Sequence, residues 1–277
     1  MRISLFLNND LESNIALNCL LPTLSNHQFN IFLSERVGKQ TAIVSLQQLA
    51  FLEREFPLKY LFPKLKLTPT VGFLSFDQIS NKYKVPVTPV TSLDASLETI
   101  SAFSPDLYIS IRFGKIFKGK VLTIPPLGII NLHSAILPDY KGVLGTFRAI
   151  LNGDKKIGTT IHYIDDSSID TGKIIRINEQ VVFPGKSILW HIVNLYPQAC
   201  HQLCELIDQL SSNKKIQSFS QQDTGNYYTF PTQEDFDKLK ATKTELLNLD
   251  EYIDIITTHY TVDRKWVAEV IQKSEGL

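Results

Sequence analysis

The strongest constraint on this chain is an alternation. Short apolar, often β-branched runs recur at residues 2–7, 27–33, 85–90, 107–111 and 128–132, and between them lie stretches with apolar residues at helical spacing, at 11–24, 45–60 and 96–103. Parallel strands need long crossovers, usually helices, so this order predicts an α/β fold: a Rossmann-like, doubly wound, mostly parallel sheet covered on both faces. In such sheets ligands sit outside the carboxyl ends of the strands. Further on, 143–151 reads as a helix ended by the turn residues Asn152, Gly153 and Asp154, while 159–164 and 173–177 read as two strands around a polar loop. A long helix is expected over 187–210. The segment KLKLTPTVGFLSF, residues 64–76, is punctuated by proline and fits either loop or strand.

After SSNKK, read as a linker, the chain looks more like an appendage than a second domain. The expected division is a catalytic domain over 1–210 and a short carboxyl-terminal extension over 211–277. Twenty-eight basic and 28 acidic residues cancel, so no global field draws the protein to nucleic acid or to an anionic membrane. The opening MRISLFLNNDL is apolar for too few residues to serve as a signal-peptide core or a membrane span. Cys19, Cys200 and Cys204 are few and odd in number, which fits a reducing compartment rather than a disulfide framework and makes the cytoplasm the default location.

One stretch breaks the pattern. NLHSAILPDYKG begins at Asn131, where an apolar run should be ending as a buried strand, and it places an amide and an imidazole two residues apart. Asn131 and His133 therefore share one face of an extended segment. An amide donor beside a titratable ring can stabilise an oxyanion and handle a proton. Asp170, in IDTG between two expected strands, could orient or charge that ring. Taken alone, N-x-H reads more simply as a strand end whose polar groups satisfy loop backbone.

These residues, with IPPLG before them and IGTTIHYIDDSSIDTGKI after them, resemble the signature of formyltransferases that use 10-formyltetrahydrofolate. SIRFGKIF, residues 110–117, resembles the family's segment one strand earlier. The resemblance is continuous over about 106–175. It implies transfer of a formyl group from the folate to an amine, with Asn131, His133 and Asp170 as catalytic residues and no metal. It also implies a folate pocket formed by Arg112, Phe113, Gly114 and Ile116 from one loop and by Ile164, Asp165, Asp166 and Ser167 from another, largely through backbone groups. Ser167 and Ser168 replace the more usual Val-Gly, which leaves the shape of the second loop open.

Rival readings compete at several positions. Asp166, Ser168 and Asp170 alternate like the start of a calcium loop, but Gly172 comes one place late and Ile177 stands where the closing Glu should be. His162, inside TTIHYI, reads as a packed or hydrogen-bonded core residue. Cys200 and Cys204 lie one helical turn apart beside His201, as ordinary helix residues. Lys115, Lys118 and Lys120 read as a solvated face, though positive charge there would also suit a folate tail or an acceptor phosphate. Tyr227, Tyr228 and Phe230 read as packing of the extension, or as the border of an acceptor site.

For the acceptor, the part after 211 is not basic overall and advertises no phosphate-neutralising face, which disfavours tRNA. The first turn, Asn8-Asn9-Asp10, lacks the glycines that would hold a substrate phosphate at a helix amino end. A small amine, such as a nucleotide-linked amino sugar, is the acceptor expected by elimination. Methionyl-tRNA as acceptor, water as acceptor, giving a hydrolase, and a non-catalytic folate-binding sensor or scaffold are the alternatives. The expected partners are a small-molecule amine and, as an assembly, a homodimer, with neither nucleic acid nor membrane.

Overall fold

Seven strands of a computed structural model, which describes residues 1–35, 42–67, 71–222 and 224–274, form one sheet. In chain order the strands are β1 (Arg2–Asn8), β2 (Gln28–Ser34), β3 (Val87–Pro89), β4 (Leu107–Ile111), β5 (Ile129–His133), β6 (Tyr140–Gly142), β7 (Lys156–Tyr163), β8 (Ile174–Val181) and β9 (Asn226–Tyr228). The large sheet runs β3-β2-β1-β4-β5-β7-β8, and β6 pairs with β9 in a separate two-stranded ribbon. The first five strands of the large sheet are parallel, and β7 and β8 are antiparallel additions. The polar connection between β7 and β8 is too short for a parallel crossover, so the chain must turn back. The expected doubly wound, mostly parallel α/β sheet is what forms.

Alternation along the strands explains why both faces are covered. Leu5, Leu7, Ile109, Ile111, Ile130 and Leu132 belong to one apolar cluster, and Phe6, Phe32, Tyr108 and Ile129 belong to another. Each side chain that goes from full exposure to full burial contributes roughly 2 kcal/mol. β1 is followed by β2 and β3 on one side of it, whereas β4 and β5 lie on the other. The crevice between the carboxyl ends of β1 and β4 is therefore a topological switch point.

The Leu11–Leu24 helix starts where Asp10, in extended conformation, accepts from the Ser13 N–H. The expected helix over 45–60 is α-helical only over Val44–Ala50 and continues as wider π turns over Phe51–Glu55 and Pro57–Leu61. Pro57 has no N–H to donate to the carbonyl four residues back, and the Phe56 N–H reaches Phe51 instead. In the uncertain stretch 64–76, residues 68–70 lie outside the described residues, and the helix Phe76–Tyr83 comes next, capped by Ser75. Ser75 and Gln78 bond each other's backbone as a capping box, a pattern present in the sequence but not read as a helix start.

The segment expected as an extension packs closely. The helices Leu249–Tyr260 and Arg264–Lys273 place Tyr252, Ile256, Tyr260 and Val267 in the larger apolar cluster. The Tyr252 hydroxyl donates to the Leu52 carbonyl at 2.8 Å, and that of Tyr260 donates to Asn14 Oδ1 at 2.7 Å. No described helix is long and apolar enough to cross a membrane.

Candidate active site

β5 and β7 build the polar centre. Asn131 and His133 lie on one face of β5, and the antiparallel register sets Asn131 opposite His162 and His133 opposite Thr160. Directly opposed residues project to the same side, so two imidazoles and an amide converge, with the His133 and His162 ring centroids 6.4 Å apart. Asp170 closes the group from the β7–β8 loop: its Oδ2 lies 3.6 Å from His133 Nδ1 and its Oδ1 lies 3.4 Å from His162 Nε2. His133, His162 and Asp170 are all buried.

The remaining bonds fix orientation. His133 Nε2 donates to the Tyr140 carbonyl at 2.7 Å, which turns Nδ1 toward Asp170. His162 Nδ1 donates to the Tyr163 carbonyl at 2.8 Å, and in that neutral tautomer its Nε2 accepts from Asn131 Nδ2 at 3.1 Å. One Asn131 N–H remains for another acceptor. The Gly142 N–H donates to Asp170 Oδ2 at 2.8 Å. Burial alone would push the Asp170 carboxyl up, but His133, His162 and the Gly142 N–H together outweigh it and hold the group at about 2. Asp170 is therefore an anion at any physiological pH.

A group held so low is a weak base, and its strength lies in stabilising positive charge on the rings beside it. His162, expected as a core residue, is buried, yet it touches both Asn131 and Asp170. The signal lies in the pairing of β7 with β5, which periodicity alone does not reveal.

A cavity of about 730 Å³ opens on this centre. Of the residues expected around the donor, Phe113, Gly114, Ile116, Ile164 and Asp166 line it, together with the backbone loop carrying Arg112. A tilted contact of Phe113 with Phe117 and its edge contact with Phe6, with centroids 5.5 and 5.2 Å apart, hold that loop. Asp165 and Ser167 are exposed on the second loop and do not line the cavity.

The guanidinium of Arg112 is otherwise engaged. It pairs with Asp10 at 2.9 Å, Glu53 at 3.3 Å and Glu12 at 3.8 Å. Burial opposes its charge, but the surrounding carboxylates more than compensate and raise its pKa well above the ordinary value. The Arg112 side chain is thus a counter-ion to these carboxylates at the edge of the cavity. At the same end Asp10 caps the first helix through the Ser13 N–H, so a carboxylate already fills the place where a phosphate would sit.

Tyr227 and Phe230 line the cavity mouth, with Tyr227 54% exposed. Tyr228 stacks on Tyr140 at 5.8 Å and lies under the Arg148 guanidinium at 5.2 Å. The aromatic run therefore divides: Tyr228 packs, and Tyr227 faces outward.

Residues 77–189 match the family model for formyl transferase. Over 111 residues the chain is 36% identical to methionyl-tRNA formyltransferase of Kosmotoga olearia, covering 39% of this chain and 34% of that one. It spans about a third of the length of the curated relatives it matches. Among solved structures, a 4-N formyltransferase from Francisella tularensis superposes with a TM-score of 0.57 at 17% identity, covering 86% of this chain and 85% of that one. An N-formyltransferase from Helicobacter canadensis, in complex with folinic acid and dTDP-3-aminofucose, superposes with a TM-score of 0.54 at 18% identity, covering 82% and 70%. These likenesses carry the fold.

Proposed function

We propose that this chain, whose residues 77–189 form a formyl transferase domain, moves a formyl group from 10-formyltetrahydrofolate to the amine of a small acceptor. The observation that carries the reading is the convergence of Asn131, His133, His162 and Asp170 at one end of a cavity of about 730 Å³. A cavity of this size suits a small-molecule substrate. Phe113, Ile116 and Ile164 would give a flat heteroaromatic ring an apolar wall.

In the reaction the amine nitrogen bonds to the formyl carbon, the bond from that carbon to N10 breaks, and one proton passes from the amine to N10. The unused Asn131 N–H bonds the oxyanion of the tetrahedral intermediate, and the positive charge of a protonated His133 ring beside it adds electrostatic stabilisation. His162 Nε2, set between Asn131 and Asp170, accepts a proton lost by the amine, and Asp170 stabilises the imidazolium that results. Side chains alone thus supply both the oxyanion stabilisation and the proton relay.

For the acceptor, a nucleotide-linked amino sugar fits best. The exposed Tyr227 ring and Phe230 at the mouth give a base or sugar a surface to stack on. The Helicobacter canadensis relative holds dTDP-3-aminofucose, and the superposition with the Francisella tularensis 4-N formyltransferase extends over most of both chains. Methionyl-tRNA is the second reading, favoured by the identity to methionyl-tRNA formyltransferases. Against it stands the balance of 28 basic and 28 acidic residues, which gives a nucleic-acid backbone no net positive field. Release of tetrahydrofolate, measured with dTDP- and UDP-linked amino sugars, methionyl-tRNA or no acceptor, tests the reading. Release only with an amino sugar supports it; release without acceptor indicates hydrolysis.

A further inference from the structure

Asp170 carries an unusual backbone. Its φ of 57° lies in the left-handed region, which a residue other than glycine adopts only when its surroundings hold it there. Two carbonyls flank this kink, those of Asp170 and Gly172. Both are held by a single side chain from far along the chain: Gln221 Nε2 lies 2.9 Å from the Asp170 oxygen and 2.7 Å from that of Gly172. One amide NH₂ has two hydrogens, and here each finds one carbonyl.

The segment bearing Gln221 is anchored on both sides. Phe219 exchanges two backbone bonds with Ile174 of β8, each 2.9 Å. Beyond it β9 pairs with β6, whose Gly142 N–H holds the Asp170 carboxylate. The chain after the long Ile188–Ser211 helix thus grips Asp170 twice: at its backbone by Gln221, and at its side chain through a strand that β9 fixes.

We propose that Gln221 is a positioning residue for Asp170, so that the segment after Ser211 completes the active centre. This rests on the reading of Asp170 as part of a formyl-transfer site. Gln221 touches no reacting atom; it sets the distances from Asp170 to His133 and His162. A misplacement of about an ångström at such a group lowers turnover by up to roughly 100-fold.

The test compares the parent with Gln221→Met, which keeps length and removes both donors, and with Gln222→Met at the exposed neighbour as control. Turnover with 10-formyltetrahydrofolate is read as kcat and KM separately, melting is followed by circular dichroism, and exchange of the Gly142 N–H is followed by NMR. In Gln221→Met, kcat falls roughly 10- to 100-fold with KM for the donor within about twofold, and the Gly142 N–H exchanges about tenfold faster. Melting stays near that of the parent, and Gln222→Met matches the parent throughout. Parental kcat and parental Gly142 exchange in Gln221→Met overturn the proposal, as does an equal loss in Gln222→Met. If the parent itself shows no turnover, the transfer reading fails, and Gly142 exchange still decides whether Gln221 positions Asp170.

Discussion

At the level of single residues, the proposed reaction separates charge from proton transfer. Asp170 is held at about 2 and stays ionised, and the proposal gives the proton-handling roles to the imidazoles of His133 and His162 beside it. Asp170→Asn keeps the shape and removes the charge, so kcat falls by roughly 10²- to 10⁴-fold, the range for general acid–base groups, while donor binding persists by titration calorimetry. Turnover equal to the parent's would remove Asp170 from the mechanism. His162→Gln loses a proton acceptor but keeps a hydrogen-bonding side chain, and a fall of about 100-fold in kcat is expected from steady-state assays. Asn131, His133 and Asp170 are legible through the motif they share with formyltransferases, because the spacing of an amide and an imidazole at a strand end is by itself more simply that of loop-satisfying polar groups. His162 is not, because its neighbours in TTIHYI make it look like part of a buried strand, and only the β5–β7 register brings it beside Asn131. Arg112 is legible as a residue of the donor loop, and its loop does line the cavity; no local pattern shows that its guanidinium turns back to Asp10, Glu12 and Glu53, two of which lie about a hundred residues earlier.

At the level of elements, the short β6–β9 ribbon joins the segment after Ser211 to the polar centre around Asp170. Gly142 sits in it with φ of 94°, and a Cβ there would lie 2.2 Å from the Tyr228 carbonyl oxygen. Gly142→Ala therefore strains the backbone and forces β9 away, with a cost of roughly 1–3 kcal/mol in urea denaturation and a loss of turnover larger than that of the whole fold. Unchanged stability and turnover would show that the ribbon is dispensable. The strands of the main sheet are legible as apolar runs, to within a few residues, because burial on both faces demands continuous hydrophobicity. The ribbon is not: its strands are three residues each and polar, and nothing in YKG or NYY marks one as the partner of the other. The π turns after Ala50 are hidden for a related reason, since apolar spacing shows that a segment is helical but not which hydrogen bonds it makes.

At the level of the whole molecule, the depressed carboxyl of Asp170 links folding to pH. Its pKa in the unfolded chain is near the ordinary value of about 3.9 and its folded value is about 2. The unfolded state therefore binds the proton first on acidification, so the stabilisation is complete above about pH 4 and is lost as pH falls toward 2. Its size is on the order of 2 kcal/mol. Urea denaturation of the parent between about pH 5 and pH 2 loses this contribution, and Asp170→Asn lacks that part of the slope; identical slopes would contradict the assignment. At the same scale, the segment after Ser211 borders the cavity through Tyr227 and Phe230, the surface proposed to receive the acceptor. The most direct measurement is release of tetrahydrofolate from 10-formyltetrahydrofolate by the parent and by Asp170→Asn, each with a panel of dTDP- and UDP-linked amino sugars, methionyl-tRNA and no acceptor. The account predicts release by the parent that depends on an amino sugar and is nearly abolished by Asp170→Asn. Release that is the same with and without acceptor, or undiminished in Asp170→Asn, would contradict it.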